Sequence, residues 1–357
     1  MSFERSNIER MKGYMPGEQS SAEGIIKLNT NENPYPASPQ VSAALQSIVV
    51  DELRRYPAPL ANGFRNRAAE LHGVKAENIL PTNGGDELLR LAITTFVEPD
   101  QSIAVSRPSY SLYPVLAEIH GCEIKEIPLL DDWSMPADFA EQLIASGAKM
   151  AIVVNPHAPT GILLPVSFLA DLADRFPGVL IIDEAYVDFI DPDLGYDSIS
   201  LTSEHNNVLL LRSLSKGYSL AGLRFGYGIG SKELIDPMMF KTRDSYNTDY
   251  ISQQLATSAL DSVSYARKTW ESVRKSRNLL KDQLAELGLN CTPSQSNFLL
   301  CQIPDSIGAE SLYQQLKGRN ILVRYFDQDR LRDKLRISIG TEKENSALKE
   351  AIKEILS

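Results

Sequence analysis

Between about residues 75 and 230 the chain alternates short aliphatic, β-branched runs with stretches of helical spacing, and this alternation restricts the fold more than any other feature. The runs are Ser102–Ser106 (SIAVS), Glu123–Pro128 (EIKEIP), Met150–Asn155 (MAIVVN), Val179–Asp183 (VLIID), Asn207–Leu211 (NVLLL) and Phe225–Gly230 (FGYGIG). Between them, Pro136–Ala145 carries Phe139, Leu143 and Ile144 at helical spacing, and Val166–Arg175 carries Phe168, Leu169 and Leu172. Runs apolar on both faces, separated by crossover helices, predict an α/β fold with a mainly parallel central sheet flanked by helices.

After Pro237 the pattern changes. A long helical stretch, Ile251–Leu287, precedes an expected strand at Asn297–Gln302, a helix near Ala309–Lys317 and strands at Ile321–Val323 and Leu335–Ile339. This suits a smaller α+β carboxy-terminal domain. The expected organisation is an amino-terminal arm (1–30), a large domain (31–250) and a small domain (251–357). The segment Asn29–Pro39 (NTNENPYPASP) has prolines at 34, 36 and 39, so it is a loop or an extended crossing segment. Its side-chain amides suit a site and a plain linker equally.

A chain of 357 residues, 43% hydrophobic and 23% charged, has room for two domains and is neither disordered nor a membrane bundle. Its net charge of −10 gives no basic footprint for nucleic acid or an acidic membrane, so small molecules are the expected partners. Cys122, Cys291 and Cys301 are far apart in sequence and lack C-x-x-C spacing; they read as free thiols in a reducing compartment. His72, His120, His157 and His205 show no ligand spacing, and no metal is expected. Met1–Lys12 is polar, without an apolar leader segment, so the expected location is cytoplasmic.

Four stretches carry possible chemistry. In Ser213–Gly226 (SLSKGYSLAGLRFG), Lys216 follows an apolar strand; in open α/β sheets ligands gather beyond the carboxyl ends of strands, where a desolvated lysine is a nucleophile. Ser213, Ser215 and Arg224 offer hydroxyls and a guanidinium suited to phosphate, although a lysine in such a loop is more often a solvated surface residue. Asp183 ends VLIID, where a buried charge needs a cationic partner: a structural salt bridge or a ligand's protonated nitrogen, with Tyr186 in reach of a neighbouring oxygen. Asn155 ends a strand in VVNPHAPTG and either caps the turn or donates to a ligand. The Gly84–Gly85 turn in TNGGDE leads into a helix, and such a start binds phosphate through backbone N–H groups; Tyr110 is either core or a ring laid on a planar cofactor.

Taken in order, Gly84-Gly85, Tyr110, Asn155, Asp183 and Tyr186, Ser213-x-Ser215-Lys216 and Arg224 resemble the fold-type I aminotransferases that use pyridoxal 5′-phosphate, with Asp183 and Lys216 33 residues apart. Within that group, LNTNENPYPASP, RRYPAP, NPHAPTG, SLSKGYSLAGLRFG, DSYNTDYISQQLA and ILVRYFDQDRLRDKLRISIGTEKEN resemble the histidinol-phosphate aminotransferases, over nearly the whole chain from about Arg10.

The resemblance implies a fold-type I transferase and, residue by residue, a site. Lys216 holds the cofactor covalently and carries a proton, Asp183 pairs with the pyridinium nitrogen, Asn155 and Tyr186 bond the ring oxygen, and Tyr110 stacks on the ring. Ser213, Ser215, Arg224 and the amides of Gly85 and Asp86 hold the phosphate, with Tyr56 reaching in from the second subunit of a homodimer with shared active sites. Arg336 grips the glutamate carboxylate or the phosphate of histidinol phosphate, Arg324 is a second phosphate contact, and Tyr14 and Asn33 cover the substrate. The implied reaction moves an amino group between L-histidinol phosphate and 2-oxoglutarate, by ping-pong exchange between pyridoxal and pyridoxamine forms, in histidine biosynthesis. An aromatic-amino-acid transaminase and a threonine-phosphate decarboxylase are the implied alternatives. His157, where the pattern more often has Asn, reads as an exposed loop residue.

Overall fold

The computed structural model describes residues 2–19 and 24–356. After a short strand β1 (Ile26–Lys27), seven strands form the central sheet: β2 (Ile79–Thr82), β3 (Ser102–Arg107), β4 (Glu123–Pro128), β5 (Met150–Val154), β6 (Val179–Asp183), β7 (Val208–Ser213) and β8 (Gly226–Gly230), in the spatial order β2-β8-β7-β6-β5-β3-β4. Strands β3 to β7 are mutually parallel, and β8 runs antiparallel to both β7 and β2. The mainly parallel sheet is therefore as expected. β3 and β5 are neighbours although β4 lies between them in sequence, so the strand order reverses there and opens a crevice at the carboxyl edge.

Strand β2 has no counterpart among the expected strands. It is four residues long, contains Pro81, and lies at the sheet edge, where a missing N–H is tolerated. The long helical stretch divides into Tyr250–Asp261 and Val263–Glu286 at Ser262, whose hydroxyl donates to the Ser258 carbonyl at 2.8 Å and meets Ser38 Oγ at 2.6 Å. The first of these helices lies against Pro39–Gln46 and Asn62–His72 and buries Leu255, Ala256 and Leu260 in the same core as the sheet. Of the second helix, Val273, Leu280 and Leu284 enter a separate core.

The sheet in that second core is antiparallel: β9 (Asn290–Cys291), β10 (Phe298–Gln302), β12 (Arg324–Tyr325) and β13 (Lys334–Ser338), ordered β12-β13-β10-β9, while β11 (Ile321–Leu322) pairs with β1. The cysteine expectation is corrected here. Cys291 and Cys301 form a disulfide, because the β9–β10 register sets them directly opposite with Cα atoms 4.0 Å apart; sequence spacing alone does not reveal such a cross-strand partner. Cys122 is a buried free thiol. Among the described residues no helix is long and apolar enough to cross a membrane.

Candidate active site

A cleft of about 310 Å³ opens where β5, β6 and β7 end, walled by the loops after those strands, by the amino-terminal segment around Tyr14 and Thr30, and by the β12–β13 connection. Asp183, the last residue of β6, lies in its wall. Tyr113 donates its hydroxyl to Asp183 Oδ2 at 2.7 Å and the Ala185 N–H donates to Oδ1 at 3.1 Å. Among the described residues no side-chain cation accompanies these donors, and burial, with Asp86 and Glu184 adding to it, pushes the carboxyl up to about 6. The cationic partner expected of a strand-end acid is thus not found among the described residues.

Lys216 sits in the tight connection between antiparallel β7 and β8. Leu214 N–H bonds the Phe225 carbonyl at 3.0 Å and Ser215 N–H bonds Ser213 Oγ at 3.1 Å, which turns the lysine back toward the sheet edge. The Gly217 carbonyl accepts from Trp270 Nε1 at 2.6 Å and from Asn33 Nδ2 at 3.2 Å, and a Cβ at Gly217 would lie 2.0 Å from the Asp188 carboxylate. Lys216 Nζ donates to the Thr30 carbonyl at 2.9 Å. Burial, then the positive charges of Arg336 and Arg224, lower its ammonium to about 8 against the opposing pull of Glu32.

The third part of the site is built on glycines. Gly84, φ +76, opens the helix Gly84–Phe96, and a Cβ there would meet Arg224 Nη2 at 2.7 Å; one on Gly226 would meet the backbone of Gly84 and Gly85 at 2.8 and 2.9 Å. This close approach brings the helix start, with N–H groups that have no partner inside the helix, beside Ser215 and Arg224. Arg224, held at φ +57, reaches Ser215 Oγ at 3.5 Å and Asp86 Oδ2 at 3.2 Å. Hydroxyls, free amides and one guanidinium make an anion cradle.

At the opposite end stand Arg324 and Arg336, register partners across β12 and β13. Arg336 donates to the Asn29 carbonyl at 3.1 Å, its Nε has no partner, and both guanidinium groups lie over Phe326, at 5.3 and 5.5 Å. Tyr186 accepts from Asn31 Nδ2 at 3.0 Å, and Tyr14, Tyr110 and Tyr113 form a ladder of edge contacts, at 5.8 and 5.5 Å, leading down to Asp183.

Of the expected residues, the cleft brings together Tyr14, Gly85, Asp86, Tyr110, Asp183, Tyr186, Ser213, Ser215, Lys216, Arg224, Arg324 and Arg336. Three lie elsewhere. Asn155 is fully buried behind the wall: its Oδ1 accepts from Leu164 N–H at 2.8 Å and its Nδ2 donates to the Leu164 carbonyl at 3.1 Å and Tyr196 Oη at 3.0 Å. Val154, Ala158 and Pro159, on either side of Asn155 in sequence, line the cleft. Asn33 holds the Lys216 loop through Gly217 and does not line the cleft. Tyr56 is 80% exposed, stacked on Tyr246 at 4.4 Å.

His157 is also corrected: it is 4% exposed, with Nε2 3.1 Å from the Pro108 carbonyl, to which it donates, and Nδ1 2.8 Å from Thr160 Oγ1. Burial depresses it to about 4, so it is a neutral tie between the loops after β3 and β5. Sequence reasoning missed Tyr113, Asn31 and the β12–β13 residues Phe326 and Gln328. For Tyr113 and Asn31 the only signals were the second tyrosine of SYSLY and the second asparagine of NTNEN.

Fold and cleft together define a fold-type I transferase: a mainly parallel sheet whose carboxyl edge presents a lysine, a buried acid and an anion cradle. The chain belongs to the aminotransferase class I and II family, whose model matches residues 23–354. It is 42% identical to a histidinol-phosphate aminotransferase of a Nostoc species over 99% of this chain and 98% of that one. Among solved structures it is similar to histidinol-phosphate aminotransferase from Sinorhizobium meliloti in complex with pyridoxal 5′-phosphate (22% identity, TM-score 0.90, 100% and 98% coverage). It is also similar to a decarboxylase from Sulfurospirillum multivorans (26% identity, TM-score 0.80, 93% and 95% coverage).

Proposed function

We propose that this protein is a pyridoxal-phosphate-dependent transaminase that moves an amino group between L-histidinol phosphate and 2-oxoglutarate. The observation that carries the reading is Asp183: a buried acid with no cationic partner among the described residues, in the same cleft as a depressed lysine and an anion cradle. A planar, phosphorylated ring with a protonated nitrogen supplies the missing charge and fits the donors present. Bound there, pyridoxal phosphate supplies an electron sink that stabilises negative charge at the substrate Cα.

The chain does the rest. Asp183 holds the ring proton, and Tyr113 and the Ala185 N–H orient the carboxylate for that task. Lys216 Nζ would be the point of covalent attachment, and its amine would take and return the proton at the substrate Cα, which a group near 8 can do at neutral pH. Ser213, Ser215, Arg224 and the Gly85 and Asp86 amides hold the phosphate, while Tyr186 bonds the ring oxygen and Tyr110 packs on the ring. Arg324 and Arg336 take the carboxylate of one substrate and the phosphate of the other, since a guanidinium fork matches both anions.

The active form is a homodimer, supported by the exposed apolar run Val49, Val50, Leu53 and Tyr56 beside Tyr246, with Tyr56 completing the neighbouring site. A cytoplasmic location suits this biosynthetic role.

The test is a visible absorbance spectrum of the purified protein before and after histidinol phosphate, with glutamate and phenylalanine alongside. A yellow band bleached at low histidinol phosphate, and only at much higher phenylalanine, is expected; a colourless protein that borohydride cannot trap with added cofactor overturns the reading. The second reading is a decarboxylase of a phosphorylated amino acid, favoured by the likeness to the Sulfurospirillum enzyme. Carbon dioxide release with no amino acceptor selects it.

A further inference from the structure

The connection between β12 and β13 crosses from the small domain's sheet onto the large domain. On its inner side Phe326, Gln328 and Leu331 line the cleft, directly beside the two arginines at its ends. Arg330 carries the crossing. Its Nη1 donates to the Leu129 carbonyl and its Nη2 to the Leu130 carbonyl, both at 2.6 Å, and its guanidinium lies 4.6 Å from the centre of the Trp133 ring. Lys334 Nζ approaches the same ring at 5.4 Å. Trp133 is 8% exposed and packs with Leu129, Leu300 and Leu331, so apolar contact seats the side chain that the cation caps. The Arg330 backbone is held at φ +66, a conformation that disfavours a non-glycine residue and is kept only where surrounding contacts fix it.

We propose that Arg330 and Trp133 form a clasp that holds residues 326–331 over the substrate end of the cleft, making Arg330 a positioning residue for substrate binding. The two ends of the site differ in this respect. At the cofactor end Asp183, Ser213 and Arg224 all belong to the large domain. The substrate wall leans on the clasp: besides the Leu331 contact with Leu129 and Trp133 and an exposed Arg330–Asp131 pair at 3.7 Å, the strap meets the large domain through planar bidentate bonds and a cation–π contact that only arginine makes together. The exposed Arg107–Asp329 pair at 3.3 Å adds little to it.

The functional consequence rests on the transaminase reading; the clasp itself does not. The experiment therefore has two arms. Hydrogen exchange is followed at the Leu331 and Lys334 amides, which close the strap on the Gln328 and Leu331 carbonyls at 3.1 and 3.0 Å, with β6 and β7 as internal standards. In Arg330→Gln, exchange of the strap is expected to rise about tenfold while the sheet is unchanged. Steady-state kinetics should show KM raised about tenfold for histidinol phosphate and for glutamate, with kcat within about twofold and cofactor occupancy as in the parent. Arg330→Lys, which keeps the charge but not the paired bonds, should fall between, and Trp133→Phe, which keeps an aromatic face, should lie near the parent.

Unaltered strap exchange, or faster exchange with unaltered KM, overturns the clasp. So does a joint fall of kcat, cofactor occupancy and melting temperature, which marks general destabilisation. A parent protein that binds pyridoxal phosphate but turns over neither substrate overturns the transaminase reading instead, and the exchange arm still decides the clasp.

Discussion

Arg324 and Arg336 are register partners on adjacent antiparallel strands, and among the described residues neither forms an ion pair with a carboxylate. Like charges directly opposite on a sheet repel, and burial lowers the Arg336 guanidinium further. An anion held between the two guanidinium groups would relieve that repulsion. Arg336→Gln should therefore relieve repulsion and raise the melting temperature of the ligand-free protein slightly, while lowering kcat/KM for both substrates by about a hundredfold, the scale of a lost charge-assisted bidentate contact. Thermal melts beside steady-state kinetics check both signs.

After burial, the Arg336 charge is also the largest influence lowering Lys216. The neutral amine is the nucleophile, so the rate at which cofactor-free protein captures pyridoxal phosphate should rise with pH and level off above about 8. In Arg336→Gln the midpoint should move upward. Stopped-flow loading at a series of pH values reads it, and a midpoint unmoved by the substitution removes Arg336 from the account.

Asp183 trades stability for function. Its carboxyl is raised by burial from 3.8 to about 6, so the folded state favours the protonated acid. The favourable contribution is complete below about pH 4 and is lost as pH rises through about 6, leaving a cost on the order of 2 to 3 kcal/mol at neutral pH in the absence of cofactor. Asp183→Asn keeps an acceptor for Tyr113 and should raise the melting temperature of cofactor-free protein at pH 7.5 but not at pH 4, while abolishing transamination. Equal effects at the two pH values contradict the titration argument.

How much of this was legible in the sequence depends on what each residue's neighbours do. Asp183 and Lys216 stood out because polar groups directly after apolar strands have few structural uses. Asn155 looked equivalent, yet the chain turns between Val154 and Ala158 so that those two face the cleft and the amide side chain is spent on Leu164 and Tyr196. Spacing does not encode that rotation. Tyr113 was hidden because it lies one helical turn from Tyr110 and reads as core, which it also is. Phe326, Gln328 and Arg330 come from a connection whose meaning arises only when the small domain folds back over the large one.

Gly226 tests the cradle from below. A Cβ there meets backbone atoms of Gly84, Gly85 and Arg212 at 2.8 to 3.0 Å, and backbone cannot rotate away as a side chain can. Gly226→Ala should push the start of the helix Gly84–Phe96 away from Arg224 and weaken cofactor affinity by about tenfold or more, with a loss of stability of at least about 1 kcal/mol. Gly222, with open space around its missing Cβ, is the control: Gly222→Ala should change neither equilibrium dialysis nor melting.

Tyr56 is far more exposed than a tyrosine of its size need be, and its stacking on Tyr246 holds it outward, away from the cleft of its own chain. If it completes the neighbouring site, Tyr56→Ala and Lys216→Ala damage the same site from different subunits. Each homodimer is then impaired at both sites, but in a hybrid both lesions fall on one site and the other is intact. Random re-association of equal amounts makes half the dimers hybrids, so the mixture should recover about a quarter of parental activity. A mixture no more active than the average of the two variants would place Tyr56 outside the neighbour's site, leaving it a surface residue of the exposed apolar run.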